Sequence, residues 1–264
     1  MSIVIISRGS FSHGKEVAEK LAENLGYECV SREIILEASK HFNIKELKLI
    51  RAIHDAPSLL DRFTHGKERY VTYVREALLH RLQKDNVVYH GLAGHFFVRD
   101  IPHVLKVRII ADLEDRVAEE VKREGISAEE ARAFLQKDDN ERYRWSYHLY
   151  GIDARDPSLY DLVIHVKTLT TDDAVHLIMC ALQSPRFQTT DRSQKDLDDL
   201  TLAARIQAAL VEDFPSVEVN VQDGEVFIEI KGPVEEEDKV IALLQRLAVK
   251  VVGIEVKVNV SIIP

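Results

Sequence analysis

The chain has 264 residues, enough for two compact domains, and its 45% hydrophobic and 30% charged content is that of a globular protein, not of a disordered or fibrous one. A formal net charge of −9 has the wrong sign for a general grip on a nucleic-acid polymer or an anionic membrane, although it leaves room for a small basic pocket. No apolar run is long enough to span a bilayer and the opening MSIVIISRGS lacks the pattern of a secretion signal, so a cytoplasmic location is expected, with Cys29 and Cys180 as buried free thiols.

The run 3–6 is apolar and β-branched, the pattern of a strand buried on both faces of a parallel sheet. A loop of small residues, 7–14, follows; then Val17, Ala18, Leu21, Ala22 and Leu25 fall at helical spacing until Gly26 ends the helix. The stretch 31–82 reads as helical, broken near Pro57 and Gly66. Residues 87–90 give a second buried strand, ending at Gly91-Leu92-Ala93-Gly94, and 104–111 a third. A helix over 114–124 stops at Gly125, and Ser127 followed by Glu130 is the capping box of the next. A fourth strand is expected at 160–166 and a closing helix at 171–182, with Asp172 and Asp173 in its first turn. Strands alternating with helices imply an α/β fold, a parallel sheet with helices on both faces.

Residues 184–196 are polar, lack periodicity and read as a linker. Beyond it the pattern changes to a helix at 200–210, strands at 217–221 and 226–230 around Asp223-Gly224, a helix at 235–248 and an alternating run at 254–262. The expected organisation is a first domain over 1–183 and a small α+β domain over 197–264, of order α-β-β-α-β, with 13 acidic against 6 basic residues in the second.

The segment Gly9-Ser10-Phe11-Ser12-His13-Gly14-Lys15-Glu16 satisfies G-x(4)-G-K between a buried strand and an amphipathic helix. Backbone amides of a tight turn, a helix dipole and one lysine together stabilise a phosphate chain. The residues alone also fit a glycine-bearing turn that binds nothing, and Glu16 stands where a serine or threonine usually meets magnesium. The eleven histidines include no set with metal-ligand spacing. Tyr143, Trp145, Tyr147 and Tyr150 form an aromatic cluster that fits base stacking but is expected to pack against the preceding helix.

Ser7-Arg8, Ser12, Gly14 to Ala18, Leu21-Ala22 and Ser31-Arg32-Glu33-Ile34-Ile35 resemble the cytidylate-kinase-like family, whose first loop runs S-R-x-x-G-S-G-G-R-E-I-A and is followed by D-R-E-L-I. Gly91 and Gly94, Asp112 to Arg116, Glu124 to Ala131, Asp139 to Tyr143 and Asp156 to Leu162 extend the resemblance over about residues 1–182. It implies a P-loop nucleoside monophosphate kinase fold that moves the γ-phosphoryl of ATP, with Mg²⁺, to a nucleoside monophosphate or similar small acceptor. Carried over, it assigns Gly9, Ser10, Ser12, His13, Gly14, Lys15 and Glu16 to the ATP phosphates. Lys15 with the lid arginines Arg116, Arg142 and Arg144 would serve the transferring group, and Arg32, Asp153, Arg155 and Asp156 the acceptor. Arg142 and Arg144 also fit solvated helix residues paired with nearby acids, and the acceptor set fits turn and cap residues. Phe11 and His13 replace family glycines, Leu92 an arginine and Ser31 an aspartate, which leaves a second reading: a catalytically degenerate nucleotide-binding sensor. The C-terminal segment resembles a BON-type domain in its A-L-x-x-D, D-G-x-V and V-x-G-I signals, implying a regulatory or dimerisation module that engages a second copy or a protein partner.

Overall fold

The computed structural model describes residues 2–9, 11–31, 66–91, 93–231, 237–253 and 258–263. Its first sheet has five parallel strands, β1 (Ile3–Arg8), β2 (Glu28–Val30), β3 (Val87–His90), β4 (Val104–Ile110) and β5 (Leu162–His165), in the order β2-β3-β1-β4-β5. Ile3, Val4, Ile5 and Ile6 are all fully buried because β1 is the central strand, and a continuous apolar run is what a strand covered on both faces requires. Helices α1 (Gly14–Leu25) and α6 (Thr171–Leu182) share a core with one side of the sheet, joining Val17, Leu21 and Ile178 to Val4, Ile6 and Val107. Each of these buried side chains contributes about 1.5–3 kcal/mol by leaving water.

Between β2 and β3 lies α2 (Gly66–Leu82), and a single turn, α3 (Gly94–Phe97), follows β3. After β4 come α4 (Leu113–Glu124) and the long α5 (Ala128–Tyr150), packed on each other through Val117, Ala131 and Leu135. The predicted capping box starts α5: the Glu130 amide donates to the Ser127 hydroxyl (3.2 Å), and the Ser127 amide to the Glu130 carboxylate (2.9 Å).

The chain divides into two compact units. The first contains the five-stranded sheet with α1 and α3 to α6. The second contains α2, α7 (Asp191–Leu210), α8 (Glu237–Val252) and a sheet of β6 (Val217–Gln222), β7 (Glu225–Lys231) and β8 (Val258–Ile263). In it β6 and β7 are antiparallel and β7 and β8 parallel. Asp223 and Gly224 both have positive φ, 52° and 82°, which is why an Asp-Gly pair forms this hairpin turn. Ile206, Leu210, Val219, Ile228, Leu244 and Ala248 make the core of this sheet and its helices. Within the same unit α2 meets α7 and the turn after it through Arg75 with Gln207 (3.2 Å), Arg69 with Glu212 (3.0 Å) and the Tyr73 hydroxyl with the Glu212 carboxylate.

Three features differ from the sequence reading. The segment 184–196 is ordered: Pro185–Phe187 is a turn of 3-10 helix, and α7 begins at Asp191 under a Thr190/Ser193 capping box. Its buried positions Ser193, Leu197 and Thr201 recur every four residues, but two are polar, so the hydrophobic period is hidden. Among the described residues the short β2 pairs only with β3, and it carries an exposed Glu28 and Cys29, so its sequence lacks a strand signal. Both cysteines are exposed, Cys29 on that edge strand and Cys180 on α6 beside His176 (3.6 Å), instead of buried. Of the stretch 31–82 only Ser31 and Gly66–Leu82 lie within the described residues. Among the described residues no helix is long and apolar enough to cross a membrane.

Candidate active site

The central strands β1 and β4 run side by side, Ser7 opposite Arg108 and Arg8 opposite Ile109, and their ends open on a cavity of about 250 Å³ in the first unit. This is the edge at which open parallel sheets receive ligands, because strand ends and helix N-termini converge there. Its walls come from the turn after β1, from α3 and α5, and from the loop before β5.

The turn is pinned to β4. The Gly9 amide donates to the Ile109 carbonyl (3.4 Å), and the buried Ser12 hydroxyl lies 3.0 Å from the carbonyls of both Gly9 and Ile109. Phe11 (φ 53°) and His13 (φ 61°) occupy the left-handed region, which is where glycine would be free and any other residue costs about 1–2 kcal/mol. The Phe11 ring turns away from the cavity. It packs on Val117, Ala131 and Leu135, pairs with Phe134 at 5.8 Å and lies 4.3 Å from the Arg123 guanidinium. Gly14 has a different reason to be glycine: a Cβ there would stand 2.6 Å from the Arg8 Cβ, so its absence lets the Arg8 side chain cross the start of α1. A Cβ on Gly9 would lie 4.0 Å from Arg116 Nη1, so that guanidinium reaches the turn.

Of the residues assigned from sequence, Gly9, Ser12, Arg116, Arg142, Asp153 and Arg155 line the cavity. Lys15 stands on the outer side of α1, 64% exposed and 3.5 Å from Glu19. His13 is the N-cap of α1 without a side-chain capping bond, its Nδ1 3.4 Å from Glu16. Glu16 faces α6, accepting from the Thr171 hydroxyl (2.9 Å) with Lys20 at 3.1 Å. Slight burial works against its ionisation, but those partners outweigh it and hold the carboxyl below the usual range. Arg144 is exposed on α5. Asp156 caps the 3-10 turn Pro157–Leu159 by accepting from the Ser158 amide (2.8 Å), and the bonds from Ser158 hold its carboxyl below the usual range. Ser10 and Arg32 lie outside the described residues.

Three cavity arginines meet carboxylates. Arg116 donates to Asp139 (2.9 Å), Arg142 Nε to Asp138 (2.8 Å), and Arg155 to Asp153 (2.8 Å), the last also lying 4.1 Å from the centre of the Tyr143 ring. The bond from Arg155 holds the Asp153 carboxyl below the ordinary range. Among the described residues no group of three His, Cys, Asp or Glu side chains gathers where it could hold a metal ion.

A polar floor went unnoticed in the sequence. Arg108 donates from Nη1 to the Ala154 carbonyl (2.7 Å), with the Ser7 and Tyr160 hydroxyls at 3.4 Å. The Tyr160 hydroxyl in turn lies 2.7 Å from that carbonyl and 3.0 Å from both Ser7 Oγ and His95 Nε2. Burial, reinforced by the charges of Arg108, Arg99 and Lys106, pushes the His95 imidazolium down to about 3, so the ring is neutral at physiological pH. One signal was available: Lys106 and Arg108 interrupt the apolar strand V-L-K-V-R-I-I at alternate positions, placing both on one face.

The sequence profile of the cytidylate kinase-like family matches residues 3–168. A cytidylate kinase of Methanopyrus kandleri is 32% identical over 108 residues, 38% of this chain and 56% of that protein, so the match spans only about half of that relative's length. A cytidylate kinase of Saccharolobus islandicus is 26% identical over 198 residues, covering 75% of this chain and 99% of that one. In three dimensions the chain superposes on an uncharacterized protein of Eubacterium ventriosum with a TM-score of 0.50, at 19% identity over 70% of this chain and 99% of the other, a likeness of fold. With the profile matching well over half of its length, the chain belongs to the cytidylate kinase-like family.

Proposed function

We propose that the chain transfers the γ-phosphoryl of ATP to a nucleoside monophosphate or a similar small phosphorylated acceptor, in the cytoplasm. The observation that carries this reading is the gathering of five arginines, Arg8, Arg108, Arg116, Arg142 and Arg155, round one cavity at the β1–α1 turn of an otherwise acidic protein. Phosphoryl transfer demands charge neutralisation and alignment more than covalent chemistry, and guanidinium forks provide both. On this reading Arg116 and Arg142 stabilise the transferring group and Asp153 with Arg155 orients the acceptor. Lys15 leaves Glu19, a weak surface partner, to meet the donor phosphates. The acids beside the cavity are engaged by arginines and Glu16 by Thr171 and Lys20, so the described residues fit Mg²⁺ as an ion carried on the ATP phosphates and water, not one held in a protein cage.

The left-handed Phe11 and His13, with Lys15 on the surface, favour one competing reading, a nucleotide sensor without turnover that signals through the BON-like C-terminal unit, as a regulatory or dimerisation module. Steady-state assays with ATP, Mg²⁺ and CMP, dCMP and UMP separate the two. Transfer to at least one acceptor, abolished by Arg142→Ala, supports the kinase. Micromolar ATP binding, lost in Lys15→Ala, with no transfer to any acceptor supports the sensor.

A further inference from the structure

We propose that Arg108, held by Ser7, Tyr160 and the Ala154 carbonyl, binds the phosphomonoester group of the acceptor and sets acceptor affinity. This inference rests on the phosphotransferase reading and deepens it.

Charge sets Arg108 apart from the other cavity arginines. Arg116, Arg142 and Arg155 each face a carboxylate, whereas the bonds of Arg108 go to a carbonyl and two hydroxyls. Asp153 feels the Arg108 charge, but its two oxygens already accept from Arg155 at 2.8–3.2 Å. Arg108 and Arg155 thus share one carboxylate, and one positive charge at the cavity floor is left over. A guanidinium does not lose its proton, and a partly buried cation without a counter-ion is unfavourable, so an entering anion finds its strongest attraction there.

The neighbours of Arg108 keep that charge available. His95 is buried and neutral, so it adds no competing positive charge. Its Nε2 steadies the Tyr160 hydroxyl, which with Ser7 leaves Arg108 only neutral partners. Position separates acceptor from donor. Arg116 is the guanidinium that approaches Gly9 of the turn, while Arg108 bonds the loop that carries Asp153 and Arg155.

The test measures binding of CMP, inorganic phosphate and a non-hydrolysable ATP analogue by calorimetry to the full chain, to Arg108→Gln, Arg108→Lys and Tyr160→Phe, alongside KM values in turnover. The expected result is a loss of CMP affinity of at least 30-fold in Arg108→Gln and 3- to 10-fold in Arg108→Lys, which keeps the charge without the fork. Binding of the ATP analogue stays within threefold. If Arg108→Gln does not fold, Arg108→Lys decides, and CMP affinity equal to wild type in it overturns the proposal. Turnover by the wild type with an unchanged acceptor KM in Arg108→Gln overturns this inference and leaves the phosphotransferase standing. Phosphate and CMP binding that needs Arg108, without any transfer, upholds the anion role and removes the phosphotransferase. A wild type that binds neither CMP nor phosphate overturns both.

Discussion

Truncating Phe11 sets ring packing against backbone strain. The ring is partly buried on α4 and α5, pairs with Phe134 at 5.8 Å and lies 4.3 Å from the Arg123 guanidinium. Full burial of an aromatic ring contributes about 1.5–3 kcal/mol, and partial burial about half of that. The ring pair and the cation–π contact add about 0.5 kcal/mol each at exposed positions. Phe11→Ala should therefore destabilise the first unit by about 2 kcal/mol, since alanine at φ 53° is as strained as phenylalanine. Phe11→Gly relieves about 1 kcal/mol of that strain but adds about 0.5–1 kcal/mol of unfolded-chain freedom, so it lands close to the alanine variant. Both should melt about 4–8 °C below wild type. The protein has one tryptophan, and Trp145 is buried on α5, so its fluorescence reports unfolding of the unit concerned. An unchanged melting temperature in Phe11→Ala would refute the strut role of the ring. A glycine variant more stable than wild type would show that strain, not packing, dominates the turn.

Removing the α5 cap in Ser127→Ala should cost about 1 kcal/mol in urea denaturation, because the Glu130 amide loses its acceptor. His95 has its folded value depressed from 6.5 to about 3, so below pH 6.5 protons bind the unfolded chain preferentially and stability falls towards pH 3. His95→Gln should flatten the slope of the urea midpoint between pH 7 and 5, where carboxylates scarcely titrate; an unchanged slope would mean the imidazole is not held neutral. Arg116→Met should lose about 1–2 kcal/mol, limited because its partner Asp139 is 37% exposed and screened by water, whereas Arg144→Ala on the exposed side of α5 should stay within about 0.5 kcal/mol of wild type. Equal losses in the two arginine variants, read by tryptophan fluorescence, would contradict the placement of both.

The sheet was legible because its central strand is apolar from Ile3 to Ile6 and its helices carry plain stops at Gly26 and Gly125 and a capping box at Ser127. What escaped follows from chemistry that periodicity does not register. The helix α7 buries a serine and a threonine on its inner stripe, and β2 is a three-residue edge with two exposed side chains. At the site, the sequence shows Phe11 and His13 in place of family glycines but not their backbone, which is left-handed at both. Motif position could not say that Lys15 would lie beside Glu19, or that Asp156 would spend its carboxylate on the Ser158 amide. The polar floor was hidden because Ser7, His95, Arg108 and Tyr160 come from four separate segments that only the sheet order brings together.

On the proposed function, the turn from Gly9 to Gly14, with Arg116 beside it, receives the donor phosphates. A crystal structure of the full chain with a non-hydrolysable ATP analogue and Mg²⁺ tests it most directly. The expected result is the β- and γ-phosphates over the amides of that turn, within hydrogen-bond reach of Arg116 or Arg142, with the Phe11 ring still packed on Val117 and Leu135. An analogue bound elsewhere, or a turn closed to the phosphates by Arg8 or Phe11, would contradict it.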